Sequence, residues 1–174
     1  ALFTATSAVC VTGLTVVDTA GDFTFFGQCV ILLLIQLGGL GILTFTSFFA
    51  YYFKGGSSLQ ETLNLRDMVS SEQLGNVFKV IVRIVVFTLG IELIGAAGIF
   101  QSLAPNLFEN WFDRFFFSVF HSVSAFCNAG FSTLSQGFYD TGFRFNYGLQ
   151  WTAMALIVLG GLGFNIINNL YDFV

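Results

Sequence analysis

The feature that most constrains this chain is a short segment that occurs twice. The sequence TATSAVCVTGLT at residues 4–15 returns as HSVSAFCNAGFS at residues 121–132. Aligned without a gap, the two copies share a serine, an alanine, a cysteine and a glycine, and each precedes a long uncharged run that contains LGGLG. An internal repeat strongly limits the architectures open to a chain. The repeated unit is a short polar turn that ends in glycine, followed by a long apolar segment.

Composition places this repeat in a membrane. Hydrophobic residues make up 55% of the chain and charged residues only 9%, whereas soluble proteins average about 25% charged residues. We therefore expect an all-α integral membrane protein, with the lipid bilayer as the partner of most of its surface and no nucleic-acid partner. The three cysteines, Cys10, Cys29 and Cys127, match no zinc or disulfide framework, and we expect no cofactor in this chain.

Three apolar stretches are long enough to cross a bilayer, which takes about 20 helical residues. They are residues 26–53, 84–103 and 149–171. A capping-box pattern predicts that the second helix begins near Ser71, and Pro105 ends it. Two further apolar stretches, 1–9 and 115–126, are too short to cross, and each leads into a copy of the repeated turn. They predict re-entrant pore helices within tandem membrane-pore-membrane repeats.

The basic residues predict the orientation of these segments. Four of the six lysines and arginines lie between residues 54 and 83, whereas the opposite edges of the spans carry mainly aspartate and glutamate. Basic residues accumulate in cytoplasmic connections. We therefore expect residues 54–83 in the cytoplasm and both repeated turns open to the outside.

These assignments divide the chain into three parts. Residues 1–53 are expected to form a first pore loop and its transmembrane helix, residues 54–73 a cytoplasmic connection, and residues 74–174 a complete second repeat. No basic region precedes residue 1, and the chain opens inside the first copy of the repeat. We therefore expect further sequence upstream and downstream.

The two turns have the chemistry of a cation filter. Irregular backbone at membrane depth is tolerated where it lines a protein-enclosed, wet cavity, and backbone carbonyls can replace the water shell of an ion. Each short helix would point its negative, C-terminal end at this cavity, which favours a cation. The carbonyls predicted to contact the ion are those of Cys10, Val11, Thr12, Gly13, Cys127, Asn128, Ala129 and Gly130.

The residues around both turns resemble a known family. Residues 7–19, SAVCVTGLTVVDT, and residues 120–132, FHSVSAFCNAGFS, are similar to the first and second pore loops of the Trk/Ktr/HKT superfamily of potassium-uptake membrane subunits, whose members include KtrB and TrkH. The resemblance extends over essentially the whole chain. It implies four membrane-pore-membrane repeats around one pore, of which this chain carries the later part of repeat one and all of repeat two.

The resemblance also implies a function. Gly13 and Gly130 correspond to the family's filter glycines, and glycine at the first of these positions is associated with potassium over sodium. The expected activity is potassium uptake across the cell membrane through a multi-pass subunit, with K⁺ as the transported ion and Na⁺ open as a coupling ion. The implied partners are the remaining pore repeats of the same polypeptide, a second copy in a homodimer, and cytosolic nucleotide-binding KtrA/TrkA-like regulatory subunits. The third and fourth repeats, which carry the family's gating loop and a pore-lining arginine, are not in this sequence.

Three alternatives are open at this point. The chain can belong to a sodium-conducting or sodium/potassium-coupled member of the same superfamily. It can be a membrane redox or haem protein that uses His121 and the cysteines, although no second histidine is present to pair with it. It can also be an assembly module without a pore of its own.

Several single residues have two interpretations each. Glu92 lies within a predicted span and either bonds neighbouring groups structurally or lies on an ion path. His121 is either a packing or hydrogen-bonding residue or else a ligand or proton sensor. Cys10 and Cys127 are either small buried residues or a redox pair or soft-metal site. The LGGLG runs either allow close helix packing or form hinges. Asn165, Asn168 and Asn169 either line an inner vestibule or mark the membrane interface.

Overall fold

The computed structural model describes the backbone of residues 1–53 and 71–162 and the side chains of residues 1–41 and 82–162. Within these ranges the regular secondary structure is entirely helical. The α-helices are α1 (Leu2–Val9), α2 (Phe25–Phe53), α3 (Ser71–Ser102), α4 (Trp111–Phe126) and α5 (Tyr147–Gly161), with short 3₁₀ helices at Pro105–Leu107 and Gly137–Tyr139. The predicted connection and the asparagines near the carboxyl end lie outside the described residues, apart from the helical start of α3.

α2, α3 and α5 lie on the three predicted spans, and we call them the long helices; the described part of α5 has 15 residues. α2 covers the whole of the first span, and α3 begins at Ser71 and ends at Ser102, before Pro105. Within the described residues, Val82–Ser102 is long and apolar enough to cross a membrane, and Phe25–Gly41 and Tyr147–Gly161 are shorter apolar helical stretches. The predicted third span is therefore confirmed as a helix as far as Gly161, and its remainder lies beyond the described part.

α1 and α4 are the short helices predicted before the two turns. α1 has 8 residues and α4 has 16, so at 1.5 Å per residue they are about 12 and 24 Å long, shorter than a hydrocarbon core of about 30 Å. α4 begins at Trp111, four residues before the apolar stretch that predicted it. The extra turn carries Asp113 and Arg114.

Arg114 ties the beginning of α4 to the end of α3. Its guanidinium donates hydrogen bonds to the carbonyls of Phe100 and, at 2.8 Å, Leu103, and it lies over the Phe100 ring with 4.0 Å to the ring centre. Carbonyls in the last turn of a helix have no partner inside that helix. Arg114 therefore caps α3 and fixes the angle between α3 and α4.

α4 lies at the centre of the described structure and joins two apolar clusters. On one side Phe120 and Val123 pack with Ala8 of α1 and with Ile31 and Ile35 of α2. The other cluster, formed with α3, α5 and the loop between α4 and α5, contains Ile99, Leu103, Phe117, Phe126, Phe143, Leu149 and Leu156. Lipid tails are as apolar as these side chains, so close packing stabilises the clusters more than exclusion from water does.

Candidate functional site

The two short helices end in the same backbone motif. After α1, the N–H of Val11 donates to the carbonyl of Ala8 at 3.2 Å, and the N–H of Thr12 donates to the carbonyl of Ser7 at 2.9 Å. After α4, the N–H groups of the two equivalent residues, Asn128 and Ala129, donate to the equivalent carbonyls at 3.1 and 2.8 Å. These paired bonds define a Schellman motif. We call Cys10–Gly13 the first turn and Cys127–Gly130 the second turn.

Both turns place a non-glycine residue in the left-handed region. Val11 has φ 55° and Asn128 has φ 56°, and they are the non-glycine residues with positive φ in the described chain. Glycine, sometimes asparagine, is usual at this position of a Schellman motif, whereas a β-branched residue such as valine is strained there. Such strain is found where the surrounding structure requires a particular backbone path, often at functional sites.

The glycines that end the turns also have positive φ, 71° at Gly13 and 73° at Gly130. The N–H groups of the first three residues of each turn bond back into the preceding helix. By contrast, the carbonyl oxygens of both turns accept no hydrogen bond from the described residues. Each turn therefore has three of its four backbone donors satisfied and all four carbonyl acceptors available, and available carbonyl oxygens are what can replace the water shell of a cation.

The two turns lie side by side. A Cβ atom added to Gly13 would lie 2.5 Å from the carbonyl oxygen of Ala129 and 3.3 Å from Cα of Gly130, and one added to Gly130 would lie 3.5 Å from Cα of Gly13. These positions are far apart in the sequence and are brought together by the packing of α1, α2 and α4. The fold therefore places the eight candidate carbonyls in two neighbouring segments of irregular backbone.

The LGGLG runs hold the long helices against the ends of the short ones. A Cβ atom on Gly38 would overlap the carbonyl oxygen of Val9, and one on Gly160 would overlap the carbonyl oxygen of Phe126. Val9 and Phe126 are equivalent residues, each the last of its short helix. Close packing is therefore confirmed for the first glycine of each run.

Contacts between the repeats differ for the second glycine of each run. A Cβ atom on Gly39 would lie 2.6 Å from Sγ of Cys127, whereas one on Gly161 would have no heavy atom of the described chain within 4 Å. Cys127 is thus a small, partly buried side chain that lets α2 approach the second turn. Gly39 and Cys127 line a cavity of about 160 Å³ next to the turns, together with Val11, Thr88 and Gly160.

Glu92 has the structural contacts that one of its two interpretations predicts. Its side chain is buried, Oε2 accepts a hydrogen bond from Nε2 of Gln36 at 3.1 Å, and the Cys127 thiol donates to Oε1 over 3.9 Å. Its backbone carbonyl accepts a hydrogen bond from the hydroxyl of Ser122 at 2.6 Å. Glu92 therefore connects α3 with α2 and with both the middle and the end of α4. Gln36 was not predicted; an amide side chain between apolar residues, in the sequence LLLIQL, was the available signal.

His121 is a buried hydrogen-bonding residue, as its structural interpretation predicts. Nδ1 lies 2.9 Å from the carbonyl oxygen of Phe117, and Nε2 lies 3.0 Å from the hydroxyl of Ser132. Among the residues that the structure describes, no group of three or more histidine, cysteine, aspartate or glutamate side chains is placed to hold a metal ion. The redox interpretation gains no support from this arrangement.

The loops that follow the turns also meet. The Asp18 carboxyl, after the first turn, accepts hydrogen bonds from Ser135, after the second, and from the N–H of Ala20, and both lower its pKa. A lowered pKa keeps this carboxylate ionised to a lower pH than usual. A negative charge therefore lies where the two loops join, on the carboxyl-terminal side of both turns.

Comparison with known proteins identifies the chain. The TrkH family, described as a cation transport protein, matches residues 1–173. The chain is 37% identical to the potassium/sodium uptake protein NtpJ of Enterococcus hirae over 99% of its own length and 38% of that protein. It is 36% identical to the Ktr system potassium uptake protein B of Vibrio alginolyticus, over 98% of this chain and 37% of the relative.

The Ktr system potassium uptake protein B of Bacillus subtilis gives a similar match, 36% identical over 96% of this chain and 37% of the relative. The chain thus spans less than two fifths of the length of each of these curated relatives. The family match nevertheless covers nearly every residue, including both turns and all the described helices. The chain therefore belongs to the TrkH family of cation transport membrane proteins.

Proposed function

We propose that this chain forms two adjacent quarters of a potassium-selective filter in a potassium-uptake transporter. The observation that carries the proposal is the pair of matching turns, whose carbonyls accept no hydrogen bond from the described residues and whose glycines lie against each other. Carbonyl oxygens held in this way can replace the hydration shell of a monovalent cation. The ion ligands are the backbone carbonyls of Cys10–Gly13 and Cys127–Gly130.

Two further points support potassium as the ion. The relatives reported above are named for uptake of potassium, or of potassium and sodium. Position 13 is occupied by glycine, the residue that the resemblance associates with potassium selectivity, and a side chain there would contact the second turn. The activity is ion translocation rather than catalysis, with no cofactor bound by this chain.

The rest of the pore comes from elsewhere in a longer polypeptide. Two turns supply half of a fourfold ring, and the relatives extend well beyond the matched region. We assign the chain to the later part of a first repeat (residues 1–53), a cytoplasmic connection (54–73) and a second repeat (74–174). α1 and α4 are then re-entrant pore helices, with both turns facing the outside of the cell membrane.

The assembly follows from the same family resemblance. Relatives named as parts of a Ktr system are consistent with a transporter of several subunits. We propose a homodimer of the complete polypeptide gated by cytosolic nucleotide-binding subunits. Purification of the complete protein with its regulatory subunit, followed by mass determination, tests this assembly; a monomer that transports potassium at full rate without a partner would exclude it.

The central test is potassium uptake by the complete polypeptide in a bacterium that lacks its own uptake systems. Unaltered protein should restore growth at low potassium, and Gly130→Asp should abolish it because a carboxylate would enter the carbonyl ring. Gly90→Ala is the matched control, since Gly90 lies in α3 with no atom near its would-be Cβ. Normal growth with Gly130→Asp would contradict the proposal.

A second candidate is a sodium-conducting or sodium-coupled transporter, favoured by the potassium/sodium name of the Enterococcus hirae relative. Gly13→Ser separates the two. If the filter is potassium-selective, this change should raise the ratio of sodium to rubidium uptake, because the new side chain displaces the Ala129 carbonyl. An unchanged ratio, with sodium already carried as fast as rubidium by the unaltered protein, would favour the sodium transporter.

A further inference from the structure

The chain that follows the second turn is tied to α4 by two buried side chains. The Ser124 hydroxyl donates a hydrogen bond to the carbonyl of Phe131 at 2.6 Å. One turn earlier in α4, Nε2 of His121 lies 3.0 Å from the hydroxyl of Ser132. Phe131 and Ser132 come directly after Gly130, so two consecutive residues next to the filter carbonyls are held by one helix.

The hydrogen bonds of His121 can run in only one direction. The carbonyl of Phe117 accepts but cannot donate, so Nδ1 carries the proton of the neutral ring. Nε2 is then an acceptor, and the Ser132 hydroxyl donates to it. The Ser132 oxygen in turn accepts a hydrogen bond from the N–H of Leu134 at 3.0 Å. Every side-chain polar atom of His121 and Ser132 therefore has a partner, and these bonds restrain the Ser132 side chain.

Packing restricts the imidazole ring as well. Its centre lies 4.0 Å from that of Phe117 and 5.3 Å from that of Phe138, and the residue is 2% exposed. These two aromatic contacts restrict the ring on the sides that they cover. A rigid acceptor of this kind fixes position better than a flexible side chain would.

Within the described part of the chain, the first turn has no equivalent of this tether. Thr4 occupies the position of His121, and the hydroxyl of Ser7, equivalent to Ser124, lies 2.8 Å from the hydroxyl of Thr12 within the turn itself. The residues after the two glycines differ accordingly: Leu14 is 63% exposed, whereas Phe131 is 3% exposed. The His121–Ser132 pair is thus a property of the second repeat and not of the repeated turn.

We propose that His121, through Ser132, is a positioning residue for ion selectivity that sets the place of the Gly130 carbonyl in the filter. The inference rests on the function proposed above. Discrimination between potassium and sodium depends on the placement and the field of the filter carbonyls. Loosening the segment after Gly130 should therefore lower selectivity for potassium while leaving a conducting pore.

Two substitutions of His121 by amide residues distinguish this role from general stabilisation of α4. In His121→Asn the amide lies where Nδ1 was, so it can still bond the Phe117 carbonyl but cannot reach Ser132. In His121→Gln the amide oxygen lies near the position of Nε2 and can accept from Ser132. Ser132→Ala removes the same bond from the other side. Ser118→Ala is the matched control, because Ser118 is equally buried on α4 but bonds only the Arg114 carbonyl of its own helix.

The measurement is the ratio of initial rubidium to sodium uptake by the complete polypeptide in the uptake-deficient bacterium, corrected for the amount of protein in the membrane. The ratio should fall roughly threefold to tenfold in His121→Asn and in Ser132→Ala, the factor expected from losing one hydrogen bond. The double variant should fall no further. His121→Gln and Ser118→Ala should retain the ratio of the unaltered protein.

Equal ratios in the Asn and Gln variants would overturn the inference, since they would show that the bond to Ser132 has no effect on selectivity. Additive losses in the double variant would also overturn it, since they would show that His121 and Ser132 act independently. A change in protein amount without a change in ratio would overturn it as well. If the unaltered protein carries no rubidium, the proposed function itself fails. Failure of the proposed function can be distinguished from failure of this inference alone, because only in the second case does the unaltered protein select rubidium over sodium.

Discussion

At the scale of single residues, the two turns adopt the same left-handed backbone conformation with different side chains, Val11 in the first and Asn128 in the second. Asn128 tolerates its left-handed conformation, and its amide donates to the carbonyls of Phe126 and Ile157 at 3.3 and 3.4 Å. Val11 adopts the same conformation without a polar group and with a branched Cβ that disfavours it. The first turn therefore holds strain that the second does not.

Exchanging these two residues should have opposite effects. We expect Asn128→Val to lower the free energy of unfolding by about 1–2 kcal/mol, the cost of a left-handed conformation for an ordinary L-residue, whereas Val11→Asn should leave it unchanged or raised. Thermal unfolding of the detergent-solubilised protein, followed by tryptophan fluorescence, measures both. A loss of stability in Val11→Asn equal to that in Asn128→Val would show that Val11 is not strained.

At the scale of the helices, glycine decides how closely the long helices approach the short ones. Gly38 lets α2 lie against the last carbonyl of α1, and Gly160 lets α5 lie against the last carbonyl of α4. Small residues at helix contacts allow such approach in membranes. The contact repeats because it supports each turn from the same side.

Gly38→Ala and Gly160→Ala should therefore be damaging to similar extents. Each new methyl group would overlap a backbone carbonyl that cannot move without displacing the turn, a cost of about 1–3 kcal/mol. Gly90→Ala should be neutral or stabilising, because its Cβ meets no atom within 4 Å and alanine is the better helix former by about 1 kcal/mol. Thermal unfolding and rubidium uptake of the three variants check this order; equal tolerance of all three would contradict the packing role.

At the scale of the whole molecule, helix packing and charge asymmetry determine different things: packing determines which segments meet, and charge asymmetry indicates the orientation in the membrane. The packing brings the two turns together and joins their following loops through Asp18 and Ser135. It does not assign either side to the cytoplasm, because the same contacts between helices would form in either orientation. Orientation rests on the distribution of basic residues, which cluster between residues 54 and 83.

Cysteine labelling tests this orientation. In a background without native cysteines, Asp22→Cys and Thr141→Cys should react with a membrane-impermeant maleimide in intact cells, because both positions are exposed in the loops after the turns. Ser58→Cys, in the basic connection, should react only after the cells are permeabilised. The reverse pattern would place the turns in the cytoplasm and exclude an externally open filter.

Much of this architecture follows from the sequence by itself, for physical reasons that act locally. The scarcity of charge requires a membrane, the lengths of the apolar stretches separate long helices from short ones, and Pro105 and Ser71 mark the limits of α3. The repeated glycines identify both turns before any contact is known. None of these inferences needs to specify which residues touch.

Only the tertiary structure decided the contacts that join segments distant in the sequence. Gln36 meets Glu92, Gly39 meets Cys127, and Gly13 meets Gly130, each across an interface between helices. His121 aligns with a threonine in the first repeat, so the repeat does not predict a partner for it. The structure shows that partner, because the loop after Gly130 folds back onto α4 and brings Ser132 to the His121 ring. Such pairings depend on how helices pack in three dimensions, which local periodicity does not encode.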